Sequence, residues 1–339
     1  MKGGFDLGRA YRDSVLLVSL VLIMAAVACF GGVDRAGLTA SKKQYPFGHG
    51  NVKWVSTQWL QDNLNDPNLS ILDAQPDIED YCAGHIPGAV HLDEATLRAP
   101  KGGLPAQYIP AEAAKLLFRR IGLDNELPVV VYSGQGAYTG TGGGLAQSML
   151  AYALARFGHN RVYVLDGGLD KWRQEGKPLS QEFPRLAEGR FRPTVRQEYA
   201  IDMEQVKKLK DRGDAILLDV RSATLYRDKG PWCRAGHIAG AVNLPWRTLM
   251  VGDNPTLVKC DDEIRRILKD RGVTTDKTII VSCGVGREST SVFLLLKWYL
   301  GYPDVRLYEG SFAEWADYPK NPTVTGPDPY DRQPTGESR

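Results

Sequence analysis

The chain has 339 residues, 43% hydrophobic and 24% charged, a globular composition long enough for two domains and unlike that of a disordered chain. Lys and Arg outnumber Asp and Glu by only 42 − 40 = 2, which leaves no basic footprint for nucleic acid. Five cysteines with no Cys-x-x-Cys pair exclude a disulfide scaffold and a zinc ribbon, and no other metal-ligand spacing is present.

Lys2, Arg9 and Arg12 precede an apolar run over residues 15–28. These 14 residues fall short of the ~20 that a spanning helix needs, so residues 1–28 read as an export signal. Ala26-Val27-Ala28 before Cys29 fits ordinary signal cleavage. It also resembles a bacterial lipoprotein site, at which Cys29 would carry lipid, although Leu is usual where Ala26 stands. The expectation is an exported protein of the periplasm or cell envelope, with membrane attachment if Cys29 is lipidated.

The chain then reads twice. Ile71-Leu72-Asp73-Ala74 returns as Leu217-Leu218-Asp219-Val220. Gly84-His85-Ile86-Pro87-Gly88-Ala89 returns as Gly236-His237-Ile238-Ala239-Gly240-Ala241. Val129-Val130-Val131-Tyr132-Ser133-Gly134 returns as Ile279-Ile280-Val281-Ser282-Cys283-Gly284. Leu165-Asp166-Gly167-Gly168 with Trp172 returns as Tyr308-Glu309-Gly310-Ser311 with Trp315. Four blocks in one order, offset by 143 to 152 residues, mark a duplicated domain. Strands are expected at 216–220, 241–244, 278–282 and 305–308, and helices at 261–271 and 289–299. This alternation predicts an α/β fold, each copy a parallel sheet with helices on both faces. The copies are placed at 50–182 and 198–325, joined by a Pro-containing linker at 183–197. A polar tail at 326–339 is expected to be disordered. The histidines and tryptophans, repeated in both copies, are expected to be structural.

In such a sheet the ligand crevice lies beyond the carboxyl ends of the strands. Cys283 stands there, followed by Gly284-Val285-Gly286-Arg287-Glu288 and a helix from about Ser289. Two glycines let backbone N–H groups converge, and the helix N-terminus adds more, a cradle suited to an anionic sulfur. A buried core cysteine is the plain alternative, but it would not need two glycines and a charged pair in the next five positions. Lowering the thiol pKa from about 8.5 to about 6.5 gains only a few-fold net reactivity, so orientation must supply more of the rate. Glu288 would repel anions if it faced inward; it is expected to face out or to pair with an arginine.

These blocks resemble the tandem-domain rhodanese (sulfurtransferase) family over roughly residues 50–325. They are Asp219-Val220-Arg221, the Gly236-His237-Ile238 block, the Cys283 loop, and Tyr308-Glu309-Gly310-Ser311-Phe312-Ala313-Glu314-Trp315. The resemblance implies two tandem rhodanese-like domains and a reaction without cofactor. Cys283 would take sulfur from an anionic small-molecule donor as a persulfide and pass it to cyanide or a thiol. Ser133 stands in the Cys283 position of the first copy, which is expected to be inactive. The Gly-rich run after Ser133 lacks the Lys-Ser/Thr ending of a phosphate loop.

Donor choice is open at this point. Thiosulfate is put first and 3-mercaptopyruvate is the alternative, because Gly284 and Gly286 lean toward mercaptopyruvate enzymes. In two-domain members an arginine near position 225 binds the donor's anionic end; here it is Leu225. Arg287, Arg221, Arg227 and Arg234 are the candidate substitutes. A module that hands persulfide sulfur to a thiol on a partner protein, without turnover on small acceptors, is a further alternative. A phosphatase of related fold needs Cys-x5-Arg, and residue 289 is Ser.

Overall fold

The computed structural model describes residues 43–330; the expected export signal, Cys29 and residues 331–339 lie outside the described residues. The first half runs β1 (Val52–Val55), β2 (Ser70–Asp73), β3 (Val90–His91), the hairpin β4 (Arg98–Lys101) and β5 (Leu104–Tyr108), β6 (Val129–Tyr132) and β7 (Val162–Leu165). Its parallel sheet has the order β1-β7-β6-β2-β3. The second half runs β8 (Ala200–Ile201), β9 (Ala215–Asp219), β10 (His237–Ile238) and β11 (Val242–Asn243). The hairpin β12 (Met250–Val251) and β13 (Asn254–Val258) follows, then β14 (Thr278–Ser282), β15 (Val305–Tyr308) and β16 (Thr323–Val324). Its sheet, β11-β9-β14-β15-β8, is parallel and repeats the first order in reverse listing. The sequence repeat is thus a repeat of topology.

The central strands explain their own position. Val129-Val130-Val131-Tyr132 in β6 is buried at every residue, as a strand covered on both faces must be. The helix Leu145–Arg156 is buried from Leu145 to Ala155, which places it inside the molecule and not on its surface. It packs on the helix Glu288–Leu294, where the Tyr152 and Phe293 rings meet edge to face at 5.1 Å. One apolar core therefore runs through both halves. The expected helix 289–299 is an α-helix to Leu294 that widens into a π turn, Leu295–Tyr299.

Each half lends its hairpin to the other. From β12–β13, Val258 N–H donates to Asp166 Oδ1 at 3.0 Å and Asn254 Nδ2 to the Gly167 carbonyl at 2.9 Å. From β4, Arg98 donates to the Val285 carbonyl in the Cys283 loop. Across the same seam Arg156 Nε meets Glu309 Oε1 at 2.6 Å.

Residues 181–196 carry no regular structure but are fastened to the first half, with Phe191 buried and Arg119 Nε on its carbonyl at 2.9 Å. Gly326, expected to begin a disordered tail, donates to the Arg227 carbonyl at 2.9 Å, and Gly240 donates to the Pro329 carbonyl at 2.7 Å. The polar tail is thus tied down as far as the described residues reach, because its backbone finds partners in the second half. The repeated histidines do one job: Nδ1 of His85 meets the Tyr81 carbonyl and Nδ1 of His237 the Tyr226 carbonyl, both at 2.9 Å. Trp172 and Trp315 are buried and donate to the Pro178 and Pro322 carbonyls. Among the described residues no helix is long and apolar enough to cross a membrane, and no cluster of three His, Cys, Asp or Glu could hold a metal.

Candidate active site

β14 delivers Cys283 to the carboxyl edge of its sheet, and the next five residues turn the chain into the helix Glu288–Leu294. Two glycines are needed for close approach. Gly286 has φ +76°, and a Cβ there would lie 2.6 Å from the Glu309 carbonyl oxygen. A Cβ on Gly284 would lie 2.4 Å from Cζ2 of Trp232. The loop's carbonyls are held from below. Phe312 N–H donates to the Cys283 carbonyl at 3.0 Å and Ala313 N–H to the Gly284 carbonyl at 2.9 Å.

Ser311 completes this seat at a cost. It is the only described non-glycine residue with positive φ, +51°. Its Oγ accepts from the Cys283 N–H at 3.1 Å and donates to the Tyr308 carbonyl at 2.8 Å, while lying 3.9 Å from Sγ. The first copy has Gly168 at this position, with φ +56°. A side chain retained where glycine would be unstrained is held there by its bonds.

Cys283 is fully buried. Its Sγ donates to Ser289 Oγ at 3.5 Å. Burial first, then the charge of Glu288, push the thiol up to about 11. This corrects two expectations. The loop does not lower the thiol pKa, and Glu288 is half-buried and joins no arginine in an ion pair among the described residues. Arg287 turns instead to the first half, where its Nε meets Glu94 Oε1 at 2.9 Å.

Trp232 is the cover. It stands between Pro231 and Cys233 in a stretch without regular structure, with its ring on Gly284, 4.7 Å from the Arg221 guanidinium and 5.5 Å from the Phe312 ring. Arg221 lies beneath it, fully buried. Its Nε donates to Asp219 Oδ1 at 2.9 Å and its Nη2 to the Gly236 carbonyl at 3.0 Å, and Nη1 has no hydrogen-bond partner.

The other candidate arginines part ways. Arg234 spends its guanidinium on the carbonyls of Trp315, Ala316, Tyr318 and Asn321, at 2.6 to 3.0 Å. It caps the end of the helix Ser311–Asp317, so it is withdrawn from donor binding. Arg227 is exposed, with Nε on the Ala223 carbonyl at 3.2 Å. Arg287 alone of the four stands on the loop, and Arg98 joins it from the other half. Cys233 and Cys260 are free and exposed.

Sequence reasoning missed Trp232, Arg98, Glu94 and Ser311. Arg98 and Glu94 carry no local signal, because only tertiary packing brings them to the loop. Ser311 had one, since it replaces a glycine of the repeat. Trp232 lies in a stretch with no counterpart in the first copy.

Comparison with known proteins agrees with this geometry. The rhodanese-like domain family matches twice, at residues 56–175 and 202–318. A Synechococcus elongatus protein named "Putative thiosulfate sulfurtransferase" is 35% identical over 94% of this chain and 97% of its own length. The sulfur carrier protein TtuD of Thermus thermophilus is 34% identical over 80% of this chain and 96% of its own. The crystal structure of the 3-mercaptopyruvate sulfurtransferase SseA of Escherichia coli superposes with a TM-score of 0.67 at 30% identity, covering 76% of this chain and 98% of that one. Duplicated sheets, one cysteine loop and these relatives lead to one conclusion: the chain is a sulfurtransferase that belongs to the tandem-domain rhodanese family.

Proposed function

We propose that Cys283 takes the outer sulfur of thiosulfate as a persulfide and passes it to cyanide or a thiol. The observation that carries this reading is the asymmetry of the two copies: of the two strand-end loops, only the second holds a cysteine. The Cys283 sulfur attacks the outer sulfur, a new S–S bond forms, and sulfite leaves with the electron pair of the old one. The acceptor then attacks the outer sulfur and Cys283 leaves as thiolate. Arg287 and Arg98 would meet the donor's anionic end at the loop, and Arg221 could reach it once Trp232 moves aside. The relative named for thiosulfate supports this choice.

3-Mercaptopyruvate is the second reading, favoured by Gly284, Gly286 and the likeness to SseA. Transfer to a thiol on a partner protein is the third, favoured by the relative named a sulfur carrier. The test is steady-state transfer to cyanide by the full chain, with each donor and with Cys283→Ser as control. Turnover with thiosulfate that disappears in the variant supports the first reading. Turnover only with mercaptopyruvate moves the donor. Persulfide loading without discharge to cyanide favours the protein acceptor.

Export completes the proposal: residues 1–28 direct the chain to the periplasm or envelope, and Cys29 carries a lipid that holds it at the membrane. The basic flank, the short apolar run and Ala26-Val27-Ala28-Cys29 support it. Cys29→Ala should move the protein from the membrane fraction to the soluble one; equal partition would remove the lipid from the account.

A further inference from the structure

The sulfur loop begins with three carbonyls in a row, those of Cys283, Gly284 and Val285. The first two accept from the backbone of their own half, Phe312 N–H at 3.0 Å and Ala313 N–H at 2.9 Å. The third accepts from a side chain of the other half, Nη2 of Arg98. We propose that Arg98 is a positioning residue for sulfur transfer: it sets the third peptide unit of the loop, so the half without the nucleophile is a working part of the active site. This rests on the sulfurtransferase reading and deepens it.

In a planar trans peptide unit the C=O and the following N–H point in opposite directions. Holding these three carbonyls therefore turns the N–H groups of Gly284, Val285 and Gly286 to the opposite side of each unit. The third unit is the one that most needs a hold from outside. It ends at Gly286, with φ +76°, a conformation that glycine permits but does not impose. The same residue makes room for the hold. A Cβ on Gly286 would lie 2.6 Å from the Glu309 carbonyl oxygen and 3.5 Å from Nη2 of Arg98.

Arg98 is itself braced. It opens β4, and its Nε donates to the Ala106 carbonyl of β5 at 3.0 Å, with Nη2 on the same oxygen. The guanidinium also lies 5.7 Å from the Tyr108 ring. One fork thus spans the Ala106 and Val285 carbonyls, which the single flexible ammonium of a lysine would not reproduce. Just before Arg98, the short helix Glu94–Leu97 supplies a second tie: Glu94, buried, takes Nε of Arg287 at 2.9 Å. The stretch 94–98 therefore holds the loop at two points, the Val285 carbonyl and the Arg287 side chain. The corresponding hairpin of the second copy holds Gly167 through Asn254, so the exchange belongs to the duplicated fold. Only on the Arg98 side does it meet a nucleophile.

The hold exists before a donor arrives, so its loss should show at saturating donor, in kcat. Pairing with the donor's anionic end is a separate use of the same guanidinium and would show in KM. The experiment compares the full chain with Arg98→Met and Arg98→Lys, and reads two quantities. The first is amide hydrogen exchange of the peptide spanning residues 283–288, without donor, with the helix Ala111–Arg120 as internal reference. The second is kcat and KM for transfer from thiosulfate to cyanide.

Arg98→Met should speed exchange in the loop roughly tenfold while the reference helix is unchanged, and should lower kcat roughly tenfold. Arg98→Lys, which keeps the charge and loses the fork, should recover only part of kcat. If Arg98→Met loosens the reference helix as well, Arg98→Lys decides by the same two readings. Unchanged loop exchange would overturn the proposal, as would a raised KM with kcat intact. Full kcat in Arg98→Lys would overturn it too, by reducing Arg98 to its charge. Absence of turnover in the unmodified chain, with faster loop exchange in Arg98→Met, would count against the sulfurtransferase reading while upholding the hold of Arg98 on the loop.

Discussion

The loops at the ends of β6 and β14 occupy the same place in two copies of one fold, and they have opposite fates. The loop after β14 is short and keeps its interior for a sulfur. The loop after β6, residues 133–144, fills its own interior. Asp80 Oδ1 accepts from the Tyr138 N–H at 2.7 Å and the Thr139 N–H at 3.1 Å, and Oδ2 accepts from Thr139 Oγ1 at 2.5 Å. Gln135 N–H goes to Asp170 Oδ2 at 3.0 Å. The first copy has thus replaced an external anion with its own carboxylates, which leaves no cradle for phosphate either. Tyr81 and Tyr226 anchor the equivalent short helices, each with its hydroxyl on an alanine carbonyl, Ala89 and Ala241. The residue just before each tyrosine is Asp80 in one copy and Leu225 in the other. The position that plugs the first loop therefore offers no carboxylate to the second.

The largest effect should come from exchanging the nucleophile. Cys283→Ser should abolish sulfur transfer, and adding Ser133→Cys to it should restore nothing, because Asp80 occupies the first cradle. Activity recovered in that double variant would break the comparison. Next, Trp232→Ala should speed iodoacetamide alkylation of Cys283 roughly tenfold at fixed pH by uncovering the loop. An unchanged rate would mean that the sulfur is reached by another side.

Asp80→Ala should cost stability and spare activity. Losing a buried acceptor of three hydrogen bonds should lower unfolding free energy by roughly 2–3 kcal/mol, while transfer stays within about twofold. Burial pushes the Asp80 carboxyl up, but the Thr139 hydroxyl and the Tyr138 and Thr139 N–H groups outweigh it and hold it below the ordinary value of 3.8. A depressed carboxyl stabilises the fold above its unfolded pKa, and that stability is lost as pH falls through the folded one. The Asp80→Ala deficit, followed by thermal melting, should therefore shrink below about pH 4. The smallest change in stability is expected for Ser311→Gly, which trades two hydrogen bonds for relief at φ +51°. Unfolding should shift by less than about 1 kcal/mol, while turnover falls several-fold as the Cys283 N–H loses its acceptor.

Much of this was legible in the chain. The repeat announced the duplicated sheet, because buried strands such as 129–132 and 279–282 carry their own apolar signature. Cys283 followed from its place between a strand and a helix. The surroundings of the sulfur were less legible. Arg287 is drawn across the seam to Glu94, and no local pattern records a partner 193 positions away. Arg221 and Arg234 stood among the candidate donor-binding arginines, yet the fold pairs one with Asp219 under Trp232 and uses the other to cap a helix. The direction of the thiol pKa escaped for the same reason: a loop's N–H groups can be counted in sequence, but the full burial of Cys283 is set by tertiary packing.

The central claim is that one loop carries the sulfur and the other is closed to it. The most direct measurement is peptide mass mapping of the full chain after incubation with thiosulfate, without acceptor. One added sulfur on the peptide containing Cys283, with Cys82, Cys233 and Cys260 unmodified, is the predicted result. Sulfur on any of those three, or none on Cys283 with either donor, would contradict the account.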